Sequence, residues 1–343
     1  MADKTKIEWT EATWNIVNGC SVHSPGCTNC YAMKLAGTRL RNHPSRSGLT
    51  QDTKAGPVWT GKVRFNEQWL DQPLRWRAPR LIFVCAHGDL FHESVPDEWI
   101  DRVFVVMAQS RKHTFQVLTK RAGRMREYLS SFKAAPAWDG YVTRDGKPAS
   151  GGPDMNPSGM PVFSPDRWPL PNVWLGVSVE DQQRADERRE DFAATPAAIK
   201  FVSYEPALGP VDWRGWEFVH QIISGGESGP KARPSHPDWH RSARDFCAAN
   251  GIAYFFKQWG EWAPLDALRL DGEPAVTDGP VTTRKGDVRD WMNRYTTFAN
   301  DAGALRLRGY SFTQHSTDLV YRLGKKRAGR LLDGVEHNGM PVR

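Results

Sequence analysis

Three of the chain's five cysteines, Cys20, Cys27 and Cys30, fall within eleven residues of one another. They sit in TWNIVNGCSVHSPGCTNCYAMK with the spacing Cys-x6-Cys-x2-Cys. Thiolates packed this tightly bind a metal ion or an iron–sulfur cluster. A structural zinc site closes its shell with four ligands, and an iron–sulfur cluster ordinarily takes four cysteines. Here the local count stops at three, which leaves one coordination position for a substrate or cofactor. Two other readings compete. His23, between the first two cysteines, would complete a structural Cys3His zinc site. A disulfide plus one free thiol is the other. No signal-peptide pattern opens the sequence, so a cytoplasmic chain with reduced thiols is expected, which disfavours the disulfide. Cys85 and Cys247 stand alone in apolar or helical contexts and read as small buried hydrophobes.

A second concentration of chemistry is ISGGESGPKARP, residues 222–233. Gly225 and Gly226 directly after an apolar run let a ligand approach backbone amides closely. Glu227 and Ser228 then offer groups for an amine or a hydroxyl. Many loops need glycine for backbone reasons alone, so the segment gains weight only from its place in the fold. Lys257 follows an aromatic run and suits a carboxylate or phosphate, or else a structural salt bridge.

The elements that must position these residues are legible as seven short β-rich runs: 13–19, 80–89, 114–121, 172–181, 198–206, 220–229 and 253–262. Their apolar stretches are nearly continuous, as suits strands buried on both faces of a parallel sheet. Helical spacing over 97–111, 180–195 and 237–251 separates several of them, with Pro96–Asp97 as a start and Gly251 as a stop. Repeated strand–helix units predict an α/β fold, a partial or complete TIM-like (β/α) barrel. No G-x-G-x-x-G follows an early strand, which weighs against a doubly wound sheet. Residues 134–171, rich in Pro, Gly and Asp, read as an inserted loop. The pattern is irregular from about 264 to 310, and the basic stretch at 321–334 reads as a short helix. The expected division is a barrel over 1–263 and a C-terminal extension over 264–343 packed on it.

Function in such a barrel collects at the C-terminal ends of the strands. That rule gathers the cysteine loop with His87, Asp89 and His92, then Thr119, Lys120 and Arg121. Ser178, Glu180 and Asp181 follow, then Ser203 and Glu205, Gly225 to Ser228, and finally Lys257, Gln258 and Glu261. For Arg121, Glu180 and Asp181 a cap or solvated ion pair is at least as good an account.

The composition, 39% hydrophobic and 25% charged over 343 residues, is that of a soluble globular chain. No run of 18 apolar residues exists, so no membrane span is expected. A net charge of +7 permits a nucleic-acid partner without establishing one. Fifteen tryptophans could stack on bases, yet most belong to packing in a chain of this size. Neither an H-E-x-x-H motif nor a nucleophile–base pair supports a hydrolase.

The blocks NGCSVHSPGCTNCYA, GDLFHESVP, FQVLTKR, GVSVED, SYEPALGP, SGGESGPKARP and FFKQWGEW, with VYRLGKKRAGRLLDGVEHNGMP near the end, together resemble the phage-associated three-Cys-motif family. That family is similar to the radical S-adenosylmethionine (SAM) enzymes. The resemblance runs roughly over residues 6–135 and 171–264. It implies a partial TIM barrel with a 4Fe-4S cluster on Cys20, Cys27 and Cys30. It further implies SAM at the fourth iron, cleaved reductively to a 5′-deoxyadenosyl radical. Gly225, Gly226 and Glu227 resemble the glycine–acid element that holds the SAM amine, with Ser228 and Lys257 beside them. Asp89, Ser178 and Glu205 would hold the ribose or the amino-acid portion. The chain departs from the superfamily in three ways. The first cysteine gap is six residues rather than three, Asn29 stands where an aromatic residue usually precedes the last cysteine, and the glycine–acid element follows the sixth strand instead of the second. Expected partners are DNA or a nucleotide for base modification or repair, an electron donor such as flavodoxin or ferredoxin, and a protein encoded nearby. The alternative is a non-catalytic nucleic-acid-binding protein with a Cys3His zinc.

Overall fold

The near-continuous apolar runs become seven strands: β1 Ala12–Trp14, β2 Leu81–Val84, β3 Thr114–Thr119, β4 Val173–Ser178, β5 Ile199–Tyr204, β6 Gln221–Gly225 and β7 Ala253–Gln258. Every residue of β4 and β6 is buried, which is why their lettering does not alternate. The strands share one sheet in chain order. β1/β2, β2/β3, β3/β4 and β6/β7 pair in parallel, with Trp14 opposite Val84 and Val84 opposite Val117. A sequential order without a reversal point is that of a barrel wall, not of a doubly wound sheet. The fold is therefore mixed α/β with a seven-stranded parallel sheet, compatible with a partial TIM-like barrel. The structure, a computed structural model, describes residues 5–131, 168–264 and 319–342, residue 267, and strand backbone at 269–270, 273–274, 282–283, 294–300 and 303–311. The insertion expected at 134–171 lies outside the described residues up to 167.

The helices longer than a single turn are α1 Tyr31–Gly37, α2 Asp97–Gln109, α3 Ala122–Ser131, α4 Gln182–Ala194 and α5 Pro237–Ala249. Pro96 precedes α2, and Asp97 and Glu98 in its first turn complement the helix dipole. Its inner face buries Ile100, Val103, Phe104 and Met107. Asp181 caps α4 by accepting the Arg184 amide on Oδ1 at 3.0 Å. Gly251, at φ +66°, stops α5 in the left-handed region that glycine enters freely.

The chain divides into two compact units, residues 1–178 with 186–201, and 179–185 with 202–343. In the first, Ala32, Met33 and Ala36 of α1 pack with Leu49 and Trp59. In the second, the segment read as irregular supplies three strands of a five-stranded antiparallel sheet. Its order is Trp262–Ala263, Leu319–Arg322, Gly303–Ser311, Arg294–Asn300 and Thr282–Thr283. Phe255 of β7 bridges Asn338, and the Gln221 amide of β6 donates to the Gly339 carbonyl, so the end of the chain packs on this unit's strands. The helix expected over 321–334 shrinks to the single turn Lys325–Ala328. Gly324 and Gly329 bracket that turn at φ +84° and +63°, and the residues before it belong to a strand.

Candidate functional site

The cysteine loop begins after a two-residue strand, Val17–Asn18. Gly19 makes the exit: its φ is +95°, and a Cβ there would lie 2.2 Å from the Lys62 carbonyl oxygen. Cys27 closes a single 3-10 turn, Pro25–Cys27, with its amide on the Ser24 carbonyl at 2.9 Å. Cys30 stands at the cap position of α1. Cys20 and Cys30 pack against the α1 cluster, Cys27 is buried, and all three thiols are free.

Burial, with Asp89 beside it, pushes the Cys20 thiol up to about 12, and Arg121 opposes the rise. Burial also raises Cys30, against the pull of the Met33 and Ala32 amides at the start of α1. Cys27 and Cys30 each add to the rise at Cys20, so the three sulfurs share one electrostatic neighbourhood. Among the described residues, no three His, Cys, Asp or Glu side chains are drawn together as a metal-binding group. The donor set itself fits a thiolate-bound group that needs three protein ligands: three free thiols on one loop, largely screened from water. Such a group must displace their protons on binding.

The ends of β2 and β3 supply the charges facing this loop. Cys85, at φ +56°, turns the chain sharply out of β2. Asp89 then accepts from the Thr119 hydroxyl at 2.7 Å, the Phe91 amide at 3.0 Å and Arg121 Nη1 at 2.9 Å. Arg121 Nε donates to both Glu93 oxygens at 2.8 Å, Nη2 donates to Ser21 Oγ at 2.7 Å, and Nη1 points to Cys20 Sγ at 3.7 Å. Burial alone would lower the Arg121 pKa, but Asp89, Cys20 and Glu93 outweigh it, so the guanidinium stays charged. His92 accepts the Ser94 amide on Nδ1 at 3.1 Å, which leaves its Nε2 hydrogen for Ser21 Oγ at 3.0 Å. Tyr31, next to Cys30, donates its hydroxyl to the Ala86 carbonyl at 2.6 Å. His23 is exposed, and partial burial followed by the charges of Arg121 and Arg188 lowers its imidazole pKa. The buried Ser178 takes Arg188 Nη1 on its carbonyl at 2.6 Å.

In the second unit, Lys257 Nζ pairs with Glu205 Oε1 at 3.0 Å, and the Ser203 hydroxyl donates to Glu205 Oε2 at 3.4 Å. Gly225 makes room for that carboxylate, since a Cβ would meet Glu205 Oε1 at 2.8 Å. A Cβ on Gly226 would lie 1.9 Å from the Trp259 carbonyl oxygen, so this glycine is fixed by packing rather than by ligand approach. Glu227 is held by Arg233 through its amide at 2.8 Å, Nε at 3.0 Å and Nη2 at 2.6 Å. Ser228 Oγ accepts from Gln258 Nε2 at 2.7 Å, while the buried Gln258 Oε1 has no partner among the described residues.

One family model matches residues 4–341, nearly the whole chain. The chain belongs to the DUF5131 family. That family is described as protein of unknown function. No curated protein and no solved structure matches the chain. Among the described residues of this DUF5131 chain, no helix is long and apolar enough to cross a membrane.

The predicted residues of the DUF5131 chain thus fall into two groups. Cys20, Cys27, Cys30 and Asp89 belong to one neighbourhood in the first unit, and Ser178 ends β4 of that unit. Gly225, Gly226, Glu227, Ser228, Glu205 and Lys257 surround the ends of β5, β6 and β7 in the second. Asp181 is a helix cap. Arg121, equally readable in the sequence as a solvated ion pair, is a buried bridge from Asp89 to the cysteine loop. Ser21 escaped sequence reasoning because a serine beside a cysteine carries no motif.

Proposed function

We propose that this chain is a radical SAM-type enzyme whose Cys20, Cys27 and Cys30 hold a 4Fe-4S cluster. When bound, that cluster with SAM supplies reductive cleavage of the sulfonium to a 5′-deoxyadenosyl radical. One observation supports the reading most: three free thiols on one loop at a strand's C-terminal end, with a buried guanidinium 3.7 Å from the first. Arg121 keeps one positive charge against that loop, and Asp89 fixes where the guanidinium points. In the second unit, the ends of β5, β6 and β7 carry the paired Glu205 and Lys257, a carboxylate and an ammonium, with the Ser228 hydroxyl on the β6 loop. Glu227 is already committed to Arg233. Gly225 and Gly226 serve by keeping these strand ends close. DNA or a nucleotide is the proposed substrate, on the charge of +7 and the family resemblance. A base inside a duplex would have to be flipped out to react.

The test is anaerobic reconstitution followed by iron and sulfide analysis and a search for 5′-deoxyadenosine. Brown protein that cleaves SAM, and a Cys27→Ala variant that folds but retains no cluster, support the reading. Colourless protein with one zinc per chain, lost in a His23→Ala variant, replaces it with the structural Cys3His site.

A further inference from the structure

Arg46 is the one side chain in the exposed turn 41–48 that carries a charge inward. It is only 5% exposed, although its neighbours Pro44 and Ser47 face solvent. Its Nη1 donates to Ser45 Oγ at 2.7 Å and toward the Ser45 carbonyl at 3.4 Å, and Nη2 donates to His87 Nδ1 at 2.6 Å. Its Nε is buried with no partner among the described residues. Arg64 lies in the same neighbourhood, donating to the Pro44 carbonyl and, at 2.9 Å, to the Ser47 carbonyl. Every one of these acceptors is neutral. Burial, followed by the charge of Arg64, lowers the Arg46 pKa to about 10, and only Cys85 pulls the other way.

A buried guanidinium is costly unless an anion offsets it. Here the buried Arg46 has the half-buried Arg64 as its charged neighbour, and no carboxylate of the described residues pairs with either. His87 cannot help, because burial and Arg46 lower its pKa to about 4 and leave it neutral. Since its Nδ1 accepts from Arg46, its proton is on Nε2, on the side of the ring away from that guanidinium. Two guanidiniums held only by neutral acceptors, one with its Nε–H unpartnered, match a dianion that would displace those acceptors better than a single carboxylate. The His87 ring also meets Tyr31 edge-on at 5.9 Å, and Tyr31 directly follows Cys30.

We infer that Arg46, positioned by His87, and Arg64 form a phosphate-binding site beside the three-cysteine loop that takes a phosphate group of the substrate. Its use by substrate rests on the enzyme reading above; phosphate binding itself does not.

The experiment is titration of the full chain, as purified, with inorganic phosphate and with a deoxynucleoside monophosphate, read by calorimetry and melting temperature. Wild type should bind both saturably and melt higher when bound. R46Q should lose at least tenfold in affinity for each, and R64Q several-fold. R46Q without phosphate should melt no lower than wild type, because neutralising an unpaired buried charge relieves a cost. No saturable binding by wild type, or equal binding by R46Q, overturns the inference. So does an R46Q chain that is clearly less stable yet binds phosphate normally, which would make Arg46 a packing residue. If R46Q does not fold, R64Q decides, and unchanged phosphate affinity there overturns the inference. Binding of inorganic phosphate without the monophosphate overturns the substrate assignment. A chain that binds phosphate through Arg46 but assembles no cluster keeps this site and sinks the enzyme reading alone.

Discussion

Arg121 and Asp89 form an ion pair in the first unit with side chains only 3% and 7% exposed, Nη1 to Oδ2 at 2.9 Å. The same Nη1 is 3.7 Å from Cys20 Sγ, and Nη2 holds Ser21, so the start of the cysteine loop is tied to the ends of β2 and β3. A pair this dry is expensive to break from one side, because the remaining charge stays desolvated.

Asp89→Ala leaves Arg121 Nη1, the Thr119 hydroxyl and the Phe91 amide without their carboxylate, and only the exposed Glu93 is left to offset the guanidinium. The expected loss is about 3–5 kcal/mol in urea unfolding. Glu93→Gln touches the same arginine, but the Glu93 side chain is 60% exposed, so under about 1 kcal/mol is expected. Equal losses in the two variants would show that Asp89 is not the buried anchor.

Gly226→Ala pushes a methyl group into the Trp259 carbonyl, 1.9 Å from the ideal Cβ position. Backbone on both sides must shift, at about 1–3 kcal/mol. Gly229→Ala, three residues on, meets nothing within 4 Å but is strained by its φ of +107°. A fall in stability for Gly229→Ala with none for Gly226→Ala would mean that the β6 loop is set by its turn and not by Trp259.

Lys257→Met strands Glu205 at 12% exposure, with Ser203 as its remaining contact, and should cost about 1–3 kcal/mol. The double variant Glu205→Gln/Lys257→Met should recover most of that loss, since no charge is then left unpaired. Additive losses would place the two residues in separate roles.

The seven parallel strands were legible because burial on both faces leaves unbroken apolar runs, as in QIISG of β6. The cysteine trio was legible because spacing alone marks it. The five-stranded antiparallel sheet was not, because RYTTFAN and GALRLRGYS mix polar and apolar letters and the strands pair over short range. Lys325–Ala328 misled for the opposite reason: good helix formers outvoted the two flanking glycines that stop the turn. Partner choice was the least visible layer. Lys257 and Glu205 lie 52 positions apart, Cys20 and Arg121 are 101 apart, and nothing local announces either contact. Arg46 carries no motif at all; only burial without a counter-ion reveals it.

His240 offers the pH prediction. It is fully buried in α5, with Ser224 Oγ 2.7 Å from Nδ1 and Ser235 Oγ 2.9 Å from Nε2. The rings of Phe256 and Trp259 meet it edge-on at 5.1 and 5.2 Å. Burial, followed by His236 and Arg241, lowers its pKa to about 3. Between its ordinary value near 6.5 and about 3, the unfolded chain therefore binds a proton that the folded chain refuses. Stability is complete above about 6.5 and falls as pH drops, by up to about 1.4 kcal/mol per unit from this group. His87 and the other lowered imidazoles, His23, His92, His113 and His337, add to the same limb, so the quantity to read is a difference. Glu93 and Asp333, whose pKa values are lowered, contribute only as pH falls past the usual carboxylate range. His240→Gln keeps a donor and an acceptor for the two serines. Denaturant unfolding between pH 5 and 6.5 should show a slope about one proton shallower than wild type, at some loss of stability at pH 8. Parallel slopes would mean that His240 takes up its proton inside the folded unit, and that the Ser224–His240–Ser235 chain opens to water.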